Sequence, residues 1–153
     1  MDKNYLLETA KKLKQVSKKS AGEYNQSAEK MVVRINTLML ERPDILNLVS
    51  EDNVNMMKDN HSNHTRFIGS VLENYNPEVL VDTVLWVFRA YRSHGFSSNY
   101  WAAQMNAWIT IIKEDLSPET YAEIFPLYKW MQINIPIFVK VSDEHIEANK
   151  SLH

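Results

Sequence analysis

From Val54 to Tyr75, seven side chains recur at alternating steps of three and four: Val54, Met57, His61, His64, Ile68, Val71 and Tyr75. That spacing is the inward stripe of a single amphipathic helix. Two of its positions are histidine. A core-facing imidazole needs a partner for each nitrogen, or its burial costs free energy. The stripe therefore predicts a long helix, and inside the fold something that meets at least one of the two rings: a side chain, a metal or a cofactor.

The rest of the chain agrees with a helical domain. Its 153 residues suffice for one domain with a substantial core, and 44% are hydrophobic. Glycine and proline are scarce, at 3 and 5, which favours helices over a turn-rich all-β fold. No segment of useful length has strand period. A formal net charge of −2 makes neither nucleic acid nor an anionic membrane an obvious partner. The absence of cysteine removes disulfides, thiol catalysis and cysteine-based metal sites. The opening MDKNYLLETAKKLKQ has no signal-peptide run, and no stretch is apolar enough to span a bilayer, so the expected compartment is the cytoplasm.

Local signals set the expected boundaries. A first helix is predicted over about Asn4 to Lys18, and a second, after Gly22, over about Glu23 to Leu40. A short turn runs from Pro43 to Leu48. Ser50 is a plausible N-cap for the histidine-bearing helix. Asn76 followed by Pro77 starts the next, whose segment Val79 to Tyr91 is apolar nearly all round and so belongs in the middle of the fold. Gly95 suits a left-handed cap. Ser97 or Ser98 starts a helix reaching about Asp115, and Ser117 with Pro118 starts the last. Pro126 and Pro136 should kink or interrupt it. From Val141 the tail turns polar and reads as the start of a connector, giving a domain over 1–140 and a tail over 141–153.

The order of elements, together with the run Tyr91-Arg92-Ser93-His94-Gly95-Phe96-Ser97-Ser98-Asn99-Tyr100-Trp101, resembles the bacterial sensor globins. In that pattern a haem-ligating histidine stands four residues before a glycine, followed by an apolar residue, a polar stretch and an aromatic pair. Gly95, Phe96, Tyr100 and Trp101 fit it. The ligand position holds Tyr91, and His94 lies one turn further on. The whole pattern most resembles the globin-like N-terminal sensor domains of stressosome proteins of the RsbR type. The resemblance implies an all-α, globin-like domain of five main helices plus one short helix. It also implies a homodimer, stressosome-type partner proteins, and a C-terminal helix that signals to a downstream output domain.

It further implies haem b and a small gas ligand such as oxygen, or a redox signal. Tyr91 or His94 would then be the proximal ligand, with His61 and His64 on the opposite side of the iron and Phe67, Phe88 and Trp108 lining the pocket. His61, His64 and His94 are the candidate metal ligands. The competing expectation for His61 and His64 is two structural histidines satisfied by neighbouring carbonyl, tyrosine or asparagine groups, in a haem-free interaction domain of the same kind. Trp86, Phe88, Trp101, Trp108 and Trp130 are most simply core. His145 and His153 have no expected role. No phosphate loop, nucleophile elbow or paired catalytic carboxylates are present, so no enzyme is expected; a peroxidase-like activity would need an inward Arg66. The end of the chain is apolar on several sides, through Ile133, Ile135, Ile137, Phe138 and Val139. That excess predicts a dimer interface containing Phe138.

Overall fold

The computed structural model describes the backbone of residues 1–152 and the side chains of residues 1–144. His145 and His153 thus lie outside the described side chains. Described residues form eight α-helices and one 3-10 turn, more than the expected five main helices and one short one. They are α1 (Lys3–Ala10), α2 (Lys18–Leu40), α3 (Ile45–Val49), the 3-10 turn Glu51–Asn53, α4 (Val54–Glu73), α5 (Pro77–Ser93), α6 (Ser98–Asp115), α7 (Pro118–Ile133) and α8 (Ile135–Leu152). None of these helices is long and apolar enough to cross a membrane.

Helix α4 packs on α2, which also carries α6 and α7, while α5 packs between α1 and α8. The core is one continuous cluster in which Leu6, Tyr24, Met31, Ile35, Met57, Ile68, Leu80, Trp108 and Tyr128 are completely buried. At the crossing of α2 and α4, Gly69 leaves room for the Asn25 side chain, whose Oδ1 lies only 2.1 Å from where a β-carbon would stand.

Several caps follow the sequence rules. Asn76 Oδ1 accepts from the backbone N–H groups of Glu78 and Val79, with Pro77 in the first turn. Ser97 and Ser117 cap α6 and α7 in the same way. Gly95 has a φ of 94°, open only to residues without steric conflict at the β-carbon. Ser50 also has positive φ, at 66°, and makes no side-chain cap; a 3-10 turn separates it from α4.

The N-terminal expectation fails for a tertiary reason. The predicted first helix ends at Ala10, and α2 begins at Lys18, before Gly22, which lies inside it. The new start is fixed by Ser17, whose backbone N–H and hydroxyl both donate to Glu123 of α7, at 2.8 and 2.9 Å. Glu23 of α2 returns the arrangement, accepting from the N–H of Ser117 (2.6 Å), its hydroxyl and the hydroxyl of Thr120. Each helix thus places a carboxylate on the N-terminus of the other, where a negative charge is favoured. The Ser117 backbone donor holds Glu23 below its ordinary pKa, and the Ser20 hydroxyl does the same for Glu123.

Three further expectations are corrected. The α5 segment is not buried all round: Val79 is 52% and Trp86 60% exposed, so Trp86 is not a core residue. Phe138 does not belong to an interface. It is 1% exposed and packs against Phe88 and Trp130, at 5.2 and 5.4 Å between ring centroids. The excess apolar surface falls instead on Ile133 and other outward residues. Finally, Pro126 stands within α7 and Pro136 in the first turn of α8. The interruption falls at Asn134, whose side chain donates back to the Trp130 carbonyl at 2.8 Å.

Candidate functional site

Both stripe histidines point inward, but in different directions. His61 is completely buried. Its Nδ1 lies 2.7 Å from Asn36 Oδ1 of α2, so this nitrogen carries the proton and donates. Its Nε2 faces the Tyr100 hydroxyl of α6 at a long 3.3 Å. That hydroxyl donates to Asn60 Oδ1 at 2.9 Å, and Gln104 Nε2 donates to the same oxygen at 2.7 Å. Asn60 and Gln104 are themselves buried. The network therefore ties α2, α4 and α6 together through groups that would each cost free energy alone.

His64 joins a second network. Its Nε2 lies 2.8 Å from the Tyr128 hydroxyl of α7, which lies 2.7 Å from the Tyr24 hydroxyl of α2. Trp108 separates the two systems. Its ring stacks on His64, with centroids 4.6 Å apart and planes 19° apart, and meets His61 edge-on at 6.2 Å. Burial lowers both imidazoles to pKa values of about 3, aided at His64 by the proximity of His61. Both rings are neutral at ordinary pH. Burial likewise raises Tyr24, Tyr100 and Tyr128, which stay protonated.

His64 lines a cavity of about 190 Å3 between α4, α5 and α6, whose wall also includes Met131 and Phe138. His64, Phe67, Phe88 and Tyr91 line it, so four of the seven expected pocket residues do come together. Trp108 lies behind His64. His61 belongs to the other network and is absent from the cavity wall. His94 is exposed at the C-terminal cap of α5, where its carbonyl accepts from Asn53.

This arrangement does not fit a haem. The cavity is smaller than the roughly 300–1,000 Å3 of pockets that enclose sizeable ligands. The Nε2 of His64 is taken by Tyr128, and no second imidazole of the described residues lines the cavity. Among the described residues no three His, Cys, Asp or Glu side chains converge as a metal site would need. Arg66 is exposed and bonds to Asn63, away from the cavity.

Sequence reasoning did not single out Asn36, Asn60, Gln104, Tyr24 or Tyr128 as partners, nor Trp101 as a cavity residue. A local signal existed for some: Asn60 precedes His64 by four residues and Gln104 follows Tyr100 by four, so each pair shares a helix face. No protein-family model, curated protein or solved structure matches this chain.

Proposed function

We propose that this chain is a haem-free, globin-like signalling and interaction domain of a stressosome-type regulator, working in the cytoplasm without catalysis of its own. The observation that carries this reading is the use of both inward histidines as hydrogen-bonded crosslinks between α2, α4, α6 and α7. An imidazole committed to a core network is not available to iron. The state of the α4–α5 region would reach a downstream domain through α8, which packs on α5 and continues to Leu152. Arg92 of α5 reinforces that contact, pairing with Asp143 and donating to the Val139 carbonyl.

The competing reading is a haem b sensor of oxygen, another small gas or redox state. In its favour, His64 and Tyr91 line one cavity from two different helices. A hemin titration separates the two. At equimolar protein, hemin should keep the broad absorption of the free compound. A sharp Soret band titrating to one haem per chain would overturn the haem-free reading.

Self-association belongs to the same proposal. Val33, Leu40, Val79, Trp86 and Ile133 leave considerable apolar surface exposed, which supports a homodimer as the working unit. Light scattering at micromolar concentration should give the mass of two chains. A clean monomer mass would remove the dimer and any signalling route that crosses it.

A further inference from the structure

We propose that the groove between the α1–α2 connection, the end of α4 and one face of α7 binds a small amphipathic carboxylate. Its acid group would lie at Lys12 and Lys14 and its apolar body on the groove floor. The groove shares no residue with the His64 cavity, so the inference stands apart from the haem-free reading.

Charge comes first. The chain as a whole is slightly acidic, yet Lys11, Lys12, Lys14, Lys18 and Lys19 fall together in a stretch with no acid. Lys11 pairs with Glu8 and Lys19 with Glu119. Lys12 and Lys14 have no ion-pair partner among the described residues, and these two line the groove. Their stems can cover apolar surface while their ammonium groups stay at the rim. Glu123 is the one acid on the lining. Both its oxygens are already engaged, one by the Ser17 N–H and the other by the hydroxyls of Ser17 and Ser20. It also sits at the N-terminus of α2, where the helix dipole offsets a negative charge. The charge left for a guest is therefore positive, and the guest it favours is an anion.

The floor then asks for more than an anion. Leu13, Val16, Val71, Leu72, Pro126 and Leu127 form it. The groove encloses about 460 Å3, within the roughly 300–1,000 Å3 of small-molecule sites. A guest with an apolar body the size of a phenylalkyl chain fits, and burying that body supplies affinity that exposed lysines alone do not.

The groove is also held in shape. The connection from Lys11 to Ser17 has no helix of its own, yet Gln15 pins it to the end of α4. Gln15 Nε2 donates to the Leu72 carbonyl at 2.6 Å, and its Oε1 accepts from the Tyr75 N–H at 2.8 Å. The Tyr75 hydroxyl donates to the Ala10 carbonyl and closes the clamp from the other side. A wall fixed in advance lowers the cost of ordering it around a guest.

The test compares three compounds of one shape on the full chain: 4-phenylbutanoate, 4-phenylbutanol and 4-phenylbutylamine, with acetate as the anion without a body. Binding is followed by backbone signals in nitrogen–proton correlation spectra. Phenylbutanoate should bind saturably and shift the signals of Leu13, Leu72 and Leu127. It should bind a few-fold tighter than the alcohol and about tenfold tighter than the amine, with a preference that shrinks as salt is added. Acetate should not bind measurably. The double variant Lys12→Glu, Lys14→Glu should reverse the order of acid and amine while keeping its affinity for the alcohol, which also shows that the groove survives. Equal affinities of acid and amine, an order unchanged in the double variant, shifts confined to the His64 cavity, or no saturable binding would each overturn the inference. So would signal loss with anionic phosphatidylglycerol vesicles in place of binding to the free acid, which would make this face a membrane contact.

Discussion

Between pH 6.5, the ordinary histidine pKa, and about pH 5, the protein should lose roughly 3 kcal/mol of unfolding free energy, a large share of the total for a domain of this size. The two imidazoles are responsible. Burial holds His61 and His64 near 3 in the folded state, while both return to about 6.5 on unfolding. In this window the unfolded chain binds up to two protons that the folded chain refuses, so stability rises with pH and falls on acidification. Each group contributes about 0.7 kcal/mol per pH unit at pH 6.5, where the unfolded ring is half protonated, rising to about 1.4 near pH 5, and two groups over about 1.5 units give the expected loss. The carboxylates act lower. Glu23 and Glu123 are held below 4.5, so the stability they contribute is present above that value and disappears beneath it. Urea denaturation at a series of pH values measures the slope directly. A profile that stays flat from 6.5 to 5 would mean that the two rings are not buried neutral bases.

Replacing Trp108 by alanine should cost about 4 kcal/mol, within the roughly 3–5 kcal/mol typical of a large aromatic removed from a core. The side chain is completely buried and packs against both histidines. Its Nε1 has no hydrogen-bond partner among the described residues, so the loss is one of packing and cavity formation and not of a broken bond. Trp86→Ala supplies the contrast. That side chain is 60% exposed, and its removal should change stability by no more than about 1 kcal/mol. Denaturant midpoints for the two variants measured side by side give the answer, and similar losses for both would contradict the placement of the tryptophans. Trp108→Ala should also disturb the neutral pair, because the space it leaves next to His61 and His64 can admit water.

Much of the helical layout is legible in the chain. The stripe of α4 is correct at Met57, His61, Ile68 and Val71, all buried. Asn76, Ser97 and Ser117 cap helices as their neighbours suggest, and Gly95 takes the left-handed conformation. These signals are local: a hydrophobic period and a capping side chain act within one or two turns. The failures have another origin. The start of α2 depends on Glu123, more than a hundred residues away, accepting from Ser17. The segment Val79 to Tyr91 is apolar enough to be central, yet the packing of α1 and α8 covers only part of α5 and leaves Trp86 outside.

The candidate site divides along the same line. That His61 and His64 face inward follows from their spacing alone, since two residues on an amphipathic stripe must share its fate. Which group meets each ring does not. Asn36, Tyr128 and Tyr24 come from helices remote in sequence, and neither period nor propensity says which side chains will meet across a core. Helix directions and crossings decided that His61 joins one polar network, that His64 joins another and borders a cavity, and that His94 stays at the surface. The amino-acid sequence by itself determined a helical chain with two imidazoles that needed partners. Only the tertiary structure determined the partners, because hydrogen bonds between helices depend on relative position in space, which the spacing of residues along any one helix does not contain.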